Sequence, residues 1–179
     1  MKRSWRAAPP PMPPSPNASS PGVSKHERSD GHHRMSDARA IAAITAAIAA
    51  ILLPIGPGVA PTLYRVTPNS RARNAPPRAG TASTRATPVD LHYMITGAGD
   101  TGLQLGAAIT ALAAVSRLDG TTIDRHVADP ALHGALGADE NVQVAPEALT
   151  LEDTTRLWQA LGRPLQPALF YTVGPVLLA

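Results

Sequence analysis

Apolar positions recur at helical spacing from Ala38 to Leu53: Ile41, Ile44, Ile48, Ile51 and Leu52 fall on one face of an Ala-rich run. Ser36 or Asp37 is placed to cap this helix. Pro54 forbids its continuation, and Gly56-Pro57-Gly58 makes a turn. The period then changes to two. Thr62 to Thr67 reads as a strand with Leu63 and Arg65 on one face and Tyr64 and Val66 on the other, ended by Pro68-Asn69. Val89 to Thr96 is the strongest strand pattern, with Val89, Leu91, Tyr93 and Ile95 on one face and Asp90, His92 and Met94 on the other. A second helical stripe follows at Leu105, Ile109, Leu112 and Val115.

The C-terminal third is punctuated by caps. Asp129-Pro130 opens a short helix to Leu136, stopped by Gly137, and Val142 to Val144 is a brief strand. Thr150 caps a last helix whose Leu151, Leu157, Trp158 and Leu161 are expected to face the core, with Gly162 and Pro164 ending it. The final strand runs from Ala168 through Gly174-Pro175 to Leu178, where the proline implies an edge position or a bulge. The sum is an α/β (α+β) domain with a small mixed, largely antiparallel sheet of about four strands and helices packed on it.

Residues 1–34 follow neither period. They hold seven of the 19 prolines, and their large apolar residues are Trp5, Met12 and Val23. Such a stretch cannot bury enough surface to offset its ordering entropy, so residues 1–34 read as a disordered tail or as sequence upstream of a true start at Met35. Residues 35–179 form one domain. The tail also explains the basic composition. Six Lys or Arg and two acids lie in residues 1–34, against ten and eleven in the remainder. A nucleic-acid partner is therefore not indicated for the folded body. His26, His32 and His33 share the tail, where no scaffold fixes ligand geometry, so no metal site is assigned.

No cysteine is present, which removes disulfides, thiolate metal sites and a cysteine nucleophile. The Ala38–Leu53 run has two rival readings, a signal-peptide core and a membrane span. A span needs about 20 apolar residues, and Arg39 and Pro54 interrupt this one. An amphipathic helix fits the Ile stripe better, and membrane insertion is not expected.

Two motifs invite a chemical reading. Gly97-Ala98-Gly99-Asp100-Thr101-Gly102 is a literal G-x-G-x-x-G between a strand and a helix, and Asp119 lies near the distance of a ribose-binding acid. This nucleotide-binding alternative lacks the second strand, because Arg117-Leu118-Asp119-Gly120-Thr121-Thr122 is not an apolar run, and no further βαβ units follow. Asp100 or Thr101 as a helix cap explains the same letters. His92 has no visible partner set and reads as a structural strand histidine. No catalytic residue and no cofactor is assigned. Ser70 to Pro88 reads as a long loop carrying Arg71, Arg73, Arg78 and Arg85 and no acid. It is either a contact loop for an acidic partner or a solvated loop.

Taken in order, Ser36 to Leu52 (SDARAIAAITAAIAAIL), Leu63 to Asn69 (LYRVTPN), Val89 to Asp100 (VDLHYMITGAGD), Val142 to Leu161 (VQVAPEALTLEDTTRLWQAL) and Leu169 to Leu178 (LFYTVGPVLL) resemble the cap, or tail-terminator, family of extracellular contractile injection systems. The resemblance spans nearly all of residues 36–178. It implies a non-enzymatic structural protein with a terminator-like α/β domain. The implied partners are other copies of itself in a ring, expected to be a hexamer, and the sheath and inner-tube proteins of a phage-tail-like particle. It implies assembly in the bacterial cytoplasm into a particle that is released or kept. Under that reading the contact elements are Arg71, Arg73, Arg78 and Arg85, with Val173 and Val176 of the last strand. Gly97-Ala98-Gly99 and the Gly174-Pro175 break depart from the family pattern.

Overall fold

A computed structural model describes residues 36–73, 86–98, 101–137 and 140–179. Among these residues five strands form one sheet in the order β1-β2-β5-β4-β3: β1 Ala60–Pro68, β2 Thr87–Thr96, β3 Arg117–Asp119, β4 Asn141–Pro146 and β5 Ala168–Leu178. All four ladders are antiparallel, and an isolated parallel bridge joins Ser36 to Leu178. The expected mixed sheet of four strands is thus an antiparallel sheet of five. The added strand is β3, whose three residues are too few to show a period.

The helices are α1 Ala40–Leu52, α2 Ser70–Arg73, α3 Thr101–Ala114, α4 Gly120–His126 and α5 Leu151–Ala160. Helix α1 buries Ala40, Ala43, Ile44, Ala47, Ile48 and Leu52, so its inner stripe alternates small and branched residues and packs close to the sheet. Ile41 and Ile51 lie at the margin of that stripe. The odd face of β2 meets it: Leu91, Tyr93 and Ile95 are fully buried, and the Tyr93 hydroxyl bonds Thr45 Oγ1 at 2.8 Å. Burial pushes the Tyr93 hydroxyl pKa up to about 12. Neither Ser36 nor Asp37 caps α1, whose N-cap position is Arg39 with no side-chain cap bond; Asp37 accepts from the Arg39 backbone N–H at 2.8 Å, and Ser36 is buried against Glu140.

The turn after α1 needs its glycines. Gly58 has φ +92°, and a Cβ there would overlap Ala98. Among the described residues no helix is long and apolar enough to cross a membrane.

Strand β1 is an edge of the sheet, and its sequence guards that edge. The backbone N–H of Asn69 donates to Pro88 O at 2.8 Å, so the neighbouring Pro68 turns outward, where it offers no donor. The register shifts between Leu63 and Arg65. Tyr64 is therefore an extra residue, and the simple face alternation expected for Thr62 to Thr67 fails.

Three expected features change. Ser70 does not open a continuous loop, since Ser70–Arg73 is a helical turn and β2 already begins at Thr87. The helix after Asp129 is a single 3-10 turn, Pro130–Leu132, with Asp129 accepting from the Ala131 N–H. Helix α5 does start with Thr150 accepting from Asp153 N at 3.0 Å, yet of its four expected core residues Trp158 alone is buried. Leu151 is 75% exposed and Leu161 lies outside the core. Leu151 lines the rim of a groove rather than the core.

Candidate functional site: a polar cluster and a held basic turn

On the face of β2 opposite α1, His92 is nearly fully buried. Its Nδ1 lies 2.8 Å from Glu147 Oε2, and its Nε2 lies 2.8 Å from Thr67 Oγ1. Tyr64 OH (3.1 Å) and Thr172 Oγ1 (3.2 Å) also donate to Glu147 Oε2, and Arg65 donates to Oε1 at 3.0 Å. One carboxylate, just past the end of β4, thereby ties together β1, β2 and β5. Burial alone would raise the Glu147 pKa. Hydrogen bonding and charge from His92, with help from Tyr64 and Thr172, outweigh it and hold the carboxyl below its usual range. Tyr64 stacks edge-on against Phe170, with ring centroids 6.1 Å apart, and Arg65 lies 5.7 Å from the Tyr64 ring centroid. Burial, then the Glu147 charge, pushes the Tyr64 hydroxyl pKa up to about 12.

Thr67, His92 and Glu147 stand in the hydroxyl–imidazole–carboxylate order of a hydrolytic relay. Their surroundings suit a different job. The carboxylate is shared with Tyr64 and Arg65 of β1 and Thr172 of β5, so its geometry is set by strand alignment as much as by His92. The cluster acts as a multi-strand pin. Among the described residues no group of three or more His, Asp or Glu is arranged to hold a metal.

Beside this cluster Asn69 does two things. Its Nδ2 donates to both carboxylate oxygens of Asp90 at 2.9 Å, and its Oδ1 accepts the Ala72 backbone N–H at 2.7 Å. The Arg73 N–H reaches Asn69 O at 3.1 Å. The helical turn α2 is thus clasped to the sheet. Asp90 in turn occupies the space that a side chain on Gly174 would need, because a Cβ there would overlap Asp90 Oδ1. The ladder of β2 with β5 shifts register between Val89 and Leu91, opposite the Gly174-Pro175 pair. This accounts for the departure in the last strand: the proline sits at a bulge in an interior strand, not at an edge.

Of the expected contact residues, Arg71 and Arg73 are exposed on α2 and have no acidic partner among the described residues. Arg78 and Arg85 lie outside the described residues. Val173 and Val176 are both 0% exposed and belong to the core, because β5 lies between β2 and β4 with these side chains turned inward. They offer no surface to a partner. The reading of His92 as lacking partners is also corrected. Its partners are 25 and 55 residues away, and only the sheet brings them close.

An open groove of about 1090 Å³ lies between α3, the β4–α5 connection and the start of β5. Ile109, Leu151 and Leu165 are exposed along it.

The glycine motif does not lead into a nucleotide fold. After α3 the chain enters β3 at the far edge, antiparallel to β4 and not adjacent to β2, so the parallel crossover a dinucleotide site requires is not made. Asp119 caps α4 instead, accepting from Thr122 N at 2.7 Å. Gly97 faces the Gln104 side chain, which a Cβ would crowd. Asp100 lies outside the described residues.

These features define a small α+β domain: an antiparallel sheet with α1 on one face and a pinned polar cluster on the other. The chain belongs to the Pvc16 N-terminal domain family, whose model matches residues 27–179. No curated protein matches it. Among solved structures it is similar to the sheath/tube terminator in the cryo-EM structure of an extracellular contractile injection system, PVC, in its extended state. The sequence identity is 18% and the TM-score 0.49, over 78% of this chain and 57% of that one. The chain therefore spans little more than half the length of that terminator.

Four of the five segments on which the sequence resemblance rests meet in space. Tyr64, Thr67 and Asn69 come from LYRVTPN, Asp90 and His92 from VDLHYMITGAGD, Glu147 from the VQVAPE segment, and Thr172 and Gly174 from LFYTVGPVLL. All eight belong to the pin or the clasp.

Proposed function

We propose that the chain is a structural cap that ends the inner tube and sheath of a phage-tail-like contractile injection system, acting as a ring and not as an enzyme. The observation that carries this is membership of the Pvc16 N-terminal domain family over residues 27–179. The cap assembles from copies of this chain, six in the expected ring. Closed rotational symmetry suits the end of a cylinder, because it leaves no lateral surface unpaired. Its partners are the last-added tube and sheath rings, joined in the bacterial cytoplasm during assembly. The mechanism is passive: the ring presents one surface to the ring below and none that a further ring can use.

The chemistry of the site supports a structural role. The Glu147 cluster holds strands together, and the exposed Arg71 and Arg73 of α2 are suited to an acidic surface. Arg78 and Arg85 extend that basic stretch in sequence. Deleting the gene tests the proposal. Particles of abnormal length, or few particles, are expected by electron microscopy. Normal numbers of normal-length particles would overturn it.

A further inference from the structure

The basic turn α2 is not an ordinary piece of surface loop. Two adjacent hydrogen-bond sets fix it: Asn69 Oδ1 and O hold the Ala72 and Arg73 amides, and Asn69 Nδ2 holds the Asp90 carboxylate. Asp90 sits at the β2 register shift, and Gly174 leaves it room. A surface arginine loses much of its contact strength to side-chain and backbone entropy unless its backbone is already ordered. Asp90 and Asn69 supply that order without being well exposed themselves.

We propose that Asp90, Asn69 and Gly174 are positioning residues for a docking surface made by Arg71 and Arg73, and that the surface takes an acidic, carboxylate-rich protein segment. Charge complementarity selects the occupant. α2 carries two arginines without acidic partners among the described residues, β1 contains no acid, and the one acid of β2, Asp90, is engaged by Asn69. This deepens the reading of α2 as a partner contact and rests on it. It adds that an acidic residue, Asp90, strengthens the binding of an acidic partner.

That last point makes the test sharp, because bulk charge and positioning predict opposite signs. The probe is fluorescently labelled poly-L-glutamate, titrated at low salt with the purified full chain. Wild type is expected to bind, and Arg71→Ala/Arg73→Ala to lose most of the affinity. Asp90→Ala makes the chain more positive by one charge. If charge alone governs, it binds tighter. If the clasp positions the arginines, it binds at least about threefold weaker, and the Ala72 and Arg73 amides exchange with solvent faster. The double variant Asn69→Asp/Asp90→Asn exchanges donor and acceptor across the same contact at unchanged net charge. It is expected to restore both affinity and exchange protection. Should Asp90→Ala fold poorly, Asn69→Ala asks the same question at the chain segment outside the sheet. Binding by Asp90→Ala or Asn69→Ala equal to or tighter than wild type overturns the proposal. So does wild-type binding that ignores Arg71 and Arg73, or no binding at all. The assay contains no particle, so its failure leaves the cap assignment standing, and normal particles in a deletion strain would leave this surface standing.

Discussion

His92 Nδ1 lies 2.8 Å from Glu147 Oε2, joining the centre of β2 to the residue just past β4 across a sequence separation of 55. This bond matters because it is not made alone. His92 meets Glu147 at Nδ1 and Thr67 at Nε2, and Glu147 collects three more donors. A nearly buried histidine is thus satisfied at both nitrogens, and a largely buried carboxylate is held as an anion.

Loss of the Glu147 charge should therefore be felt most at neutral pH. The folded pKa of Glu147 is lowered, so its contribution is fully present above the unfolded value of about 4.3 and fades as pH falls through the folded value. Glu147→Gln is expected to cost about 2 kcal/mol at pH 7, in the range for hydrogen bonds to a charged group. The gap from wild type should close on acidification below about pH 4. Urea unfolding at a series of pH values measures both; a gap that stays constant to pH 3 would contradict the account.

Asp119 is the cap of α4, not a ribose ligand. Asp119→Ala is expected to lower stability by about 1 kcal/mol, as lost N-caps do. Nicotinamide and flavin nucleotides are expected to leave the melting temperature of the wild-type chain unchanged, which differential scanning fluorimetry reads directly.

Gly174 is required by close approach, not by backbone angle. Gly174→Ala is expected to cost about 1–3 kcal/mol through overpacking. Part of that cost should disappear in an Asp90→Ala background, because the nearest obstruction is the Asp90 carboxylate. The remainder should persist, since Val89 O and Asp90 Cα stand 3.1 and 3.2 Å from the new Cβ. A double-mutant cycle by denaturant unfolding gives the coupling.

Reversing Arg71, Arg73, Arg78 and Arg85 to Glu is expected to weaken capping while leaving the unfolding midpoint of the isolated chain nearly unchanged. The loss should be larger at low salt, where exposed charges are less screened. Counting capped particles by electron microscopy after adding back wild-type or reversed protein, at two ionic strengths, checks this.

The sequence by itself determined the elements with strong periods or unambiguous caps. The Ile stripe of α1, the alternation of β2 and the Thr150 cap each depend on a few neighbouring residues, and each appears where those residues put it. The motif order also determined the family. What needed tertiary structure were features whose cause lies far along the chain. Leu118 is buried because β4 passes beside it, and three residues of β3 cannot announce that locally. Leu151 looks like a core residue on a helical wheel, but α5 turns only Trp158 fully inward. Val173 and Val176 were expected as contacts on a strand whose proline implied an edge or a bulge; the bulge is what occurs, and the strand lies inside the sheet with both side chains in the core. Thr67, His92 and Glu147 carry no local signal of their meeting, because hydrogen bonds across a sheet depend on strand order and register. Those are settled by how the whole chain buries its apolar faces, not by any one segment.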